Sequence, residues 1–153
     1  MLKPILPAVV DNRLPGPALA VWLFVPQVFM KLALGMTHIL RADGGAQSIS
    51  RMPLDTYPDG AAQNVIALMA RMGLEQLLMG ALFLVVLLRY RALIPLMYCV
   101  VVLQFVAHRL VAGMKPLALA GASGVGAMQL VVAGLAVVGL LLALWPHGQG
   151  DPR

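Results

Sequence analysis

Three stretches of this sequence set ionisable or amide side chains inside apolar runs. Gln27, Lys31 and His38 are spaced four and seven residues apart, Arg71 and Glu75 four apart, and Gln104 and His108 four apart. On a helix, each set falls on one face. Gln76 adjoins Glu75, Arg109 adjoins His108, and Gln129 stands alone in a fourth run. An isolated charge at the centre of a membrane helix costs ~2.5–3.5 kcal/mol on insertion scales, so such groups face the bundle interior or a wet cavity and pair there. Glu75 is the acid available to Lys31 and Arg71, and it is expected to bridge one or both. The balance leaves one positive charge over, which suits an anionic or carbonyl-bearing ligand better than a cation. The expected ligand-binding set is Lys31, His38, Arg71, Glu75, Gln104 and His108. No nucleophile–base pair or paired carboxylates appear, so no catalytic residue is assigned.

Simpler uses compete with this reading. An intramembrane ion pair can fix helix register. Gln104 and Gln129 can each supply an interhelical hydrogen bond, and Arg109 can snorkel to headgroups. His38 and His108, near one membrane surface on two helices, leave haem ligation open. Two histidines are too few for a closed zinc site, and no metal site is assigned. The single cysteine, Cys99, excludes an internal disulfide and lies in an apolar stretch as a small hydrophobe. The 10 methionines are read as adaptable packing rather than copper ligands.

These residues need a scaffold, and composition specifies it. Of 153 residues, 61% are hydrophobic and 11% charged, and mean hydropathy is +0.89. A soluble domain is nearer ~25% charged. A chain this poor in polar surface belongs in a bilayer. The +5 charge is scattered at helix ends, which fits headgroups and topology rather than nucleic acid. Runs such as 81–88 and 130–145 are unbroken rather than alternating, so the spans are helices and not barrel strands.

The expected fold is all-α, an integral membrane four-helix bundle. A Pro-rich lead-in covers 1–16, and the four-span domain covers 17–145. The spans fall at about 17–40, 61–88, 92–110 and 117–145, and a polar tail covers 146–153. Prolines in the lead-in and Lys31 argue against a removable signal peptide. Pro26 should kink the first span, and Asp59 is a candidate N-cap for the second. The polar connection 41–60 exceeds the usual ~4–6 residues and is a candidate lid or interfacial segment. Ala118, Ala122 and Gly126 would let the fourth helix approach a neighbour closely. The run Gly121-Ala122-Ser123-Gly124-Val125-Gly126 lacks the strand and Gly-Lys ending of a nucleotide loop.

The polar positions fall in the half of the membrane next to the 41–60 connection, and the other half is almost wholly apolar. Leaving aside Lys31 and Arg71 within the spans, the basic residues divide five to four between the two sides. Arg89 and Arg91 occupy the shortest loop, where the positive-inside rule acts most reliably. Both termini are therefore expected in the cytoplasm, with the protein multi-pass in a cell inner membrane.

Arg71-Met72-Gly73 opens the second span, Leu78-Met79-Gly80 follows, and Arg89-Tyr90-Arg91 forms the basic turn. His108-Arg109-Leu110 closes the third span, and the fourth bears glycines. This pattern resembles the DoxX-like group of small bacterial four-helix membrane proteins. The resemblance covers about 61–145, and the Lys31 and His38 stripe matches no motif of the group. It implies a compact bundle, in some members linked to quinone-coupled redox complexes. Small multidrug exporters differ, because their first helix carries a glutamate and this one has no acid. The expected function is an accessory or ligand-binding membrane subunit, with quinone or haem as the candidate cofactors. Expected partners are the lipid bilayer and a membrane subunit or a homo-oligomer. A small proton-coupled transporter and an isomerase-type membrane enzyme are the alternatives.

Overall fold

The computed structural model describes residues 4–13 and 16–145. Lys3 and the tail 146–153 lie outside the described residues. Four helices are long and apolar enough to cross a membrane. They are α1 (Ala18–Leu40), α2 (Asp59–Arg89), α3 (Ile94–Met114) and α4 (Val125–Leu144), with short 3-10 turns at Leu54–Thr56 and Arg91–Leu93. The chain is an all-α four-helix bundle with no strand among the described residues.

Two sets of contacts define the ends of the bundle. At one end, the Ala92 N–H donates to the Asp11 carbonyl at 3.3 Å, and Gly16 packs against Leu142 and Ala143. The start of α1, the α2–α3 turn and the end of α4 therefore share one side. At the other end, the Ala120 N–H donates to the Arg51 carbonyl at 2.8 Å, which ties the α3–α4 connection to the α1–α2 connection.

Packing is uneven. The most extensive contact joins α1 to α2, and α4 packs on both α1 and α3. In contrast, α2 and α3 touch little. Glycine sets the α1–α2 approach. A Cβ at Gly35 would stand 2.7 Å from the Leu77 nitrogen, one at Gly73 2.6 Å from the His38 Cβ, and one at Gly80 2.9 Å from the Leu32 side chain. The main core joins all four helices near the α2–α3 turn, through Phe24, Phe83, Tyr98 and Ala136. The Phe24 ring meets Tyr98 edge-on at 5.4 Å. The buried Tyr98 hydroxyl donates to the Ala20 carbonyl at 2.6 Å. Outward positions on the helices are apolar and exposed, such as Trp22, Phe29 and Leu141, as lipid contact requires.

Several sequence expectations change. The fourth helix begins at Val125 rather than near 117, because 115–124 runs irregularly across the end of the bundle. Ala118 and Ala122 therefore lie outside the helix, and Gly126 has no neighbour within 4 Å of a built Cβ. Close approach of α4 uses Ala133, Ala136, Gly139 and Ala143 instead, all buried; a Cβ at Gly139 would overlap the Tyr98 ring. Asp59 occupies the first turn of α2, and Pro58 is the N-cap residue. Helix α3 continues past Leu110 to Met114.

Candidate functional site

The register of α1 against α2 fixes the levels of the polar residues. Gly73 lies beside His38, Leu77 beside Gly35, and Gly80 beside Leu32. Arg71 is thus level with the C-terminal end of α1, and Glu75 lies about one turn further in. Lys31 sits near Gly80, about 13 Å along the helix axis from Arg71 at 1.5 Å per residue.

Lys31 lies on the α1 face that also carries the buried Phe24, Gln27, Val28 and Gly35. Its Nζ donates to the Gln104 Oε1 at 2.6 Å, spanning the interior from α1 to α3. Both residues are half-buried and near the middle of their helices. One turn earlier on α1, the Gln27 Nε2 donates to the Val132 carbonyl of α4 at 3.0 Å. A seam of amide and ammonium groups therefore joins α1 to α3 and α4 at the centre of the bundle.

The expected bridge from Glu75 is corrected. Ion pairs among the described residues are Arg13–Asp11 and Arg41–Asp43. Glu75 and Arg71 both lie on the exposed side of α2, away from the glycines that face α1. The reason is rotational: the close α1–α2 crossing claims the Gly73–Leu77–Gly80 face, which turns positions 71 and 75 outward.

His38 is buried, and its Nδ1 donates to the Gly44 carbonyl at 2.6 Å. Gly45 crowds the same ring, with a built Cβ 2.8 Å from Nδ1. The imidazole clamps the long connection onto the end of α1. That connection is an ordered cap whose Ala46 and Leu54 pack with Met69. Gly44, Gly45 and Arg51 take positive φ to make its turns. Asp43 organises them, accepting from the Gly45 N–H at 2.9 Å and the Ser48 N–H at 2.7 Å. Desolvation, the largest single influence, raises the Asp43 pKa. The Ser48 and Gly45 hydrogen bonds and the Arg41 charge outweigh it and hold the carboxyl at about 2. The sequence offered a signal for this cap in Asp43-Gly44-Gly45, a turn-forming set.

His108 is exposed. It belongs to the α3 face that carries Met97, Val101 and Gln104. Met97 and Val101 are buried, Gln104 is half-buried and His108 is exposed. This decline shows α3 leaving the bundle toward the long-connection end. Gln129 is half-buried on α4.

The six expected residues thus occupy separate places. Lys31 and Gln104 pair in the interior, and His108 lies one turn from Gln104 on the diverging face. His38 holds the cap, while Arg71 and Glu75 face outward. An apolar hollow beneath the cap, about 240 Å³, is lined by Met52, Tyr57, Met69 and Leu117 among others, away from this seam. Among the described residues, no three His, Cys, Asp or Glu side chains group as metal ligands do.

The donor balance defines what the Lys31–Gln104 pair can bind. An ammonium has donors only, so the amide must turn its oxygen toward Lys31. The remaining groups are the N–H donors of Gln104 and of Lys31, with no carboxylate among the described residues paired to the ammonium. Such a pair recognises acceptor oxygens. No family model, curated protein or solved structure matches the chain.

Proposed function

We propose that this multi-pass membrane protein is a small accessory or ligand-binding subunit, and that Lys31 and Gln104 bind a lipid-soluble ligand through its carbonyl or anionic oxygens. A quinone headgroup fits that chemistry, in keeping with the quinone link of some DoxX-like proteins. The observation that carries the reading is the Lys31 ammonium in the bundle interior, held by a neutral amide at 2.6 Å with no acid among the described residues paired to it. A half-buried cation so placed gains from an acceptor. The loose α2–α3 contact and the fading burial along α3 give the ligand a lateral route from the lipid. On the basic turn with Arg89 and Arg91, we take the bilayer to be a cell inner membrane, with both termini cytoplasmic.

Native mass spectrometry of protein extracted in mild detergent tests this. Wild-type protein should carry, or take up from quinones and lipid extracts, a carbonyl-bearing or anionic molecule that Lys31→Met loses. Bare chains in both cases after that challenge would refute it.

A further inference from the structure

The outward face of α2 carries a pattern that lipid contact alone does not explain. Arg71, Glu75, Leu78, Leu82, Val85 and Arg89 follow one another at steps of four, three, four, three and four. That is the rhythm of the a and d positions of a helix seam. All six are exposed, with Leu78 at 62% and Leu82 and Val85 at 49%. The exposed positions of α1 and α4 are uncharged throughout their described lengths. On α2, by contrast, an Arg and a Glu head the seam. Neither forms an ion pair among the described residues, although they stand one turn apart. Glu75 is exposed on the outward face at a level inside the end of α1.

We propose that this seam is the interface of a homodimer, with a second copy inserted in the same orientation and related by a two-fold axis along the membrane normal. The charges support this occupant. In an isologous interface each patch must complement itself. Arg71 of each copy lies one helical turn from the level of Glu75 in the other, so each guanidinium reaches diagonally across the axis to a carboxylate, and the two reciprocal pairs leave the four charges with no net charge. Leu78, Leu82 and Val85 continue the contact toward the α2–α3 turn as apolar knobs. Burial between two copies meets the demand for pairing that ionised groups carry near the hydrocarbon. A partner bearing a single unpaired acid or base would leave one of the two charges unmatched.

Cysteine crosslinking of the full chain in lipid vesicles tests the dimer, in a Cys99→Ser background that removes the single native thiol. Leu78→Cys and Leu82→Cys should form disulfide-linked homodimers, while Leu84→Cys and Leu88→Cys, exposed but off the seam, should not. Arg71→Glu should reduce the Leu78→Cys crosslink at least ~10-fold, since about 1.4 kcal/mol suffices. Adding Glu75→Arg to Arg71→Glu should restore it, because the pairs are rebuilt with their signs exchanged. The wild-type-charge crosslinks stand even if Arg71→Glu fails to fold. Equal crosslinking on and off the seam means random collision and overturns the proposal. So does a crosslink to a different protein, or a yield insensitive to the charge changes, as side chains merely reaching headgroups would give.

Discussion

At Lys31 the energetics turn on which partner is lost. Removing Gln104 by Gln104→Leu leaves an ammonium inside the bundle without its acceptor, at a cost of about 1–3 kcal/mol or more. Lys31→Met removes the charge itself and leaves only an amide seeking a partner, a smaller penalty. The double variant should lie close to Lys31→Met, because no charge then remains to be satisfied. Reversible unfolding in detergent would reveal the order, and equal losses from the two single changes would contradict it. A second residue-scale prediction concerns Asp43. Its pKa in the folded cap, about 2, lies below the ordinary 3.8. The protonated form therefore loses stability relative to the carboxylate. The contribution is complete above about pH 4 and disappears as pH falls through the folded value near 2. Protection of the Gly45 and Ser48 amides against hydrogen exchange, taken relative to their intrinsic rates at each pH, should fall over that window in wild type. Asp43→Asn should show lower protection at neutral pH and little further change in protection on acidification.

At the scale of elements, the α1–α2 pair is governed by absent side chains. Gly73→Ala would set a methyl 2.6 Å from the His38 Cβ and 2.9 Å from the Gly35 carbonyl. The helices must separate, at a cost of about 1–3 kcal/mol by the usual penalty for overpacking. Gly134→Ala meets nothing within 4 Å and should be neutral or slightly stabilising. Comparative thermal unfolding distinguishes the two, and a similar loss in both would refute glycine control of this crossing. Helix existence and approximate length were legible in the hydropathy of the chain, since each span must satisfy its backbone internally. The start of α4 was not. Residues 117–124 are apolar and rich in Gly and Ala, so composition cannot distinguish an interfacial coil from the first turns of a span. Helix rotation was equally hidden. Period alone put Arg71 and Glu75 on one face, but the choice of outward or inward belongs to Gly73 and Gly80, whose packing partners are distant in sequence.

At the scale of the whole molecule, the bundle is tight at one end and loose at the other. Aromatic packing of Phe24, Phe83 and Tyr98 closes the end near the α2–α3 turn. Toward the long connection, α3 diverges, and the polar residues of its inner face pass from half-buried Gln104 to exposed His108. The sequence named both members of the Lys31–Gln104 pair, but the polar side chains it grouped at one depth spread over about 13 Å along the axis from Lys31 to Arg71. It did not indicate that His38 would hold a cap, because Gly44 becomes its neighbour only through positive-φ turns. The central claim is that Lys31, paired with Gln104, binds acceptor oxygens of a lipid-soluble ligand. Equilibrium binding of a short-chain quinone to the protein in lipid nanodiscs tests it most directly. Wild type should bind saturably, Lys31→Met should weaken binding by at least ~10-fold, equivalent to about 1.4 kcal/mol, and Arg71→Ala should bind as wild type does. Absence of saturable binding to wild type, or equal affinity in wild type and Lys31→Met, would contradict the claim.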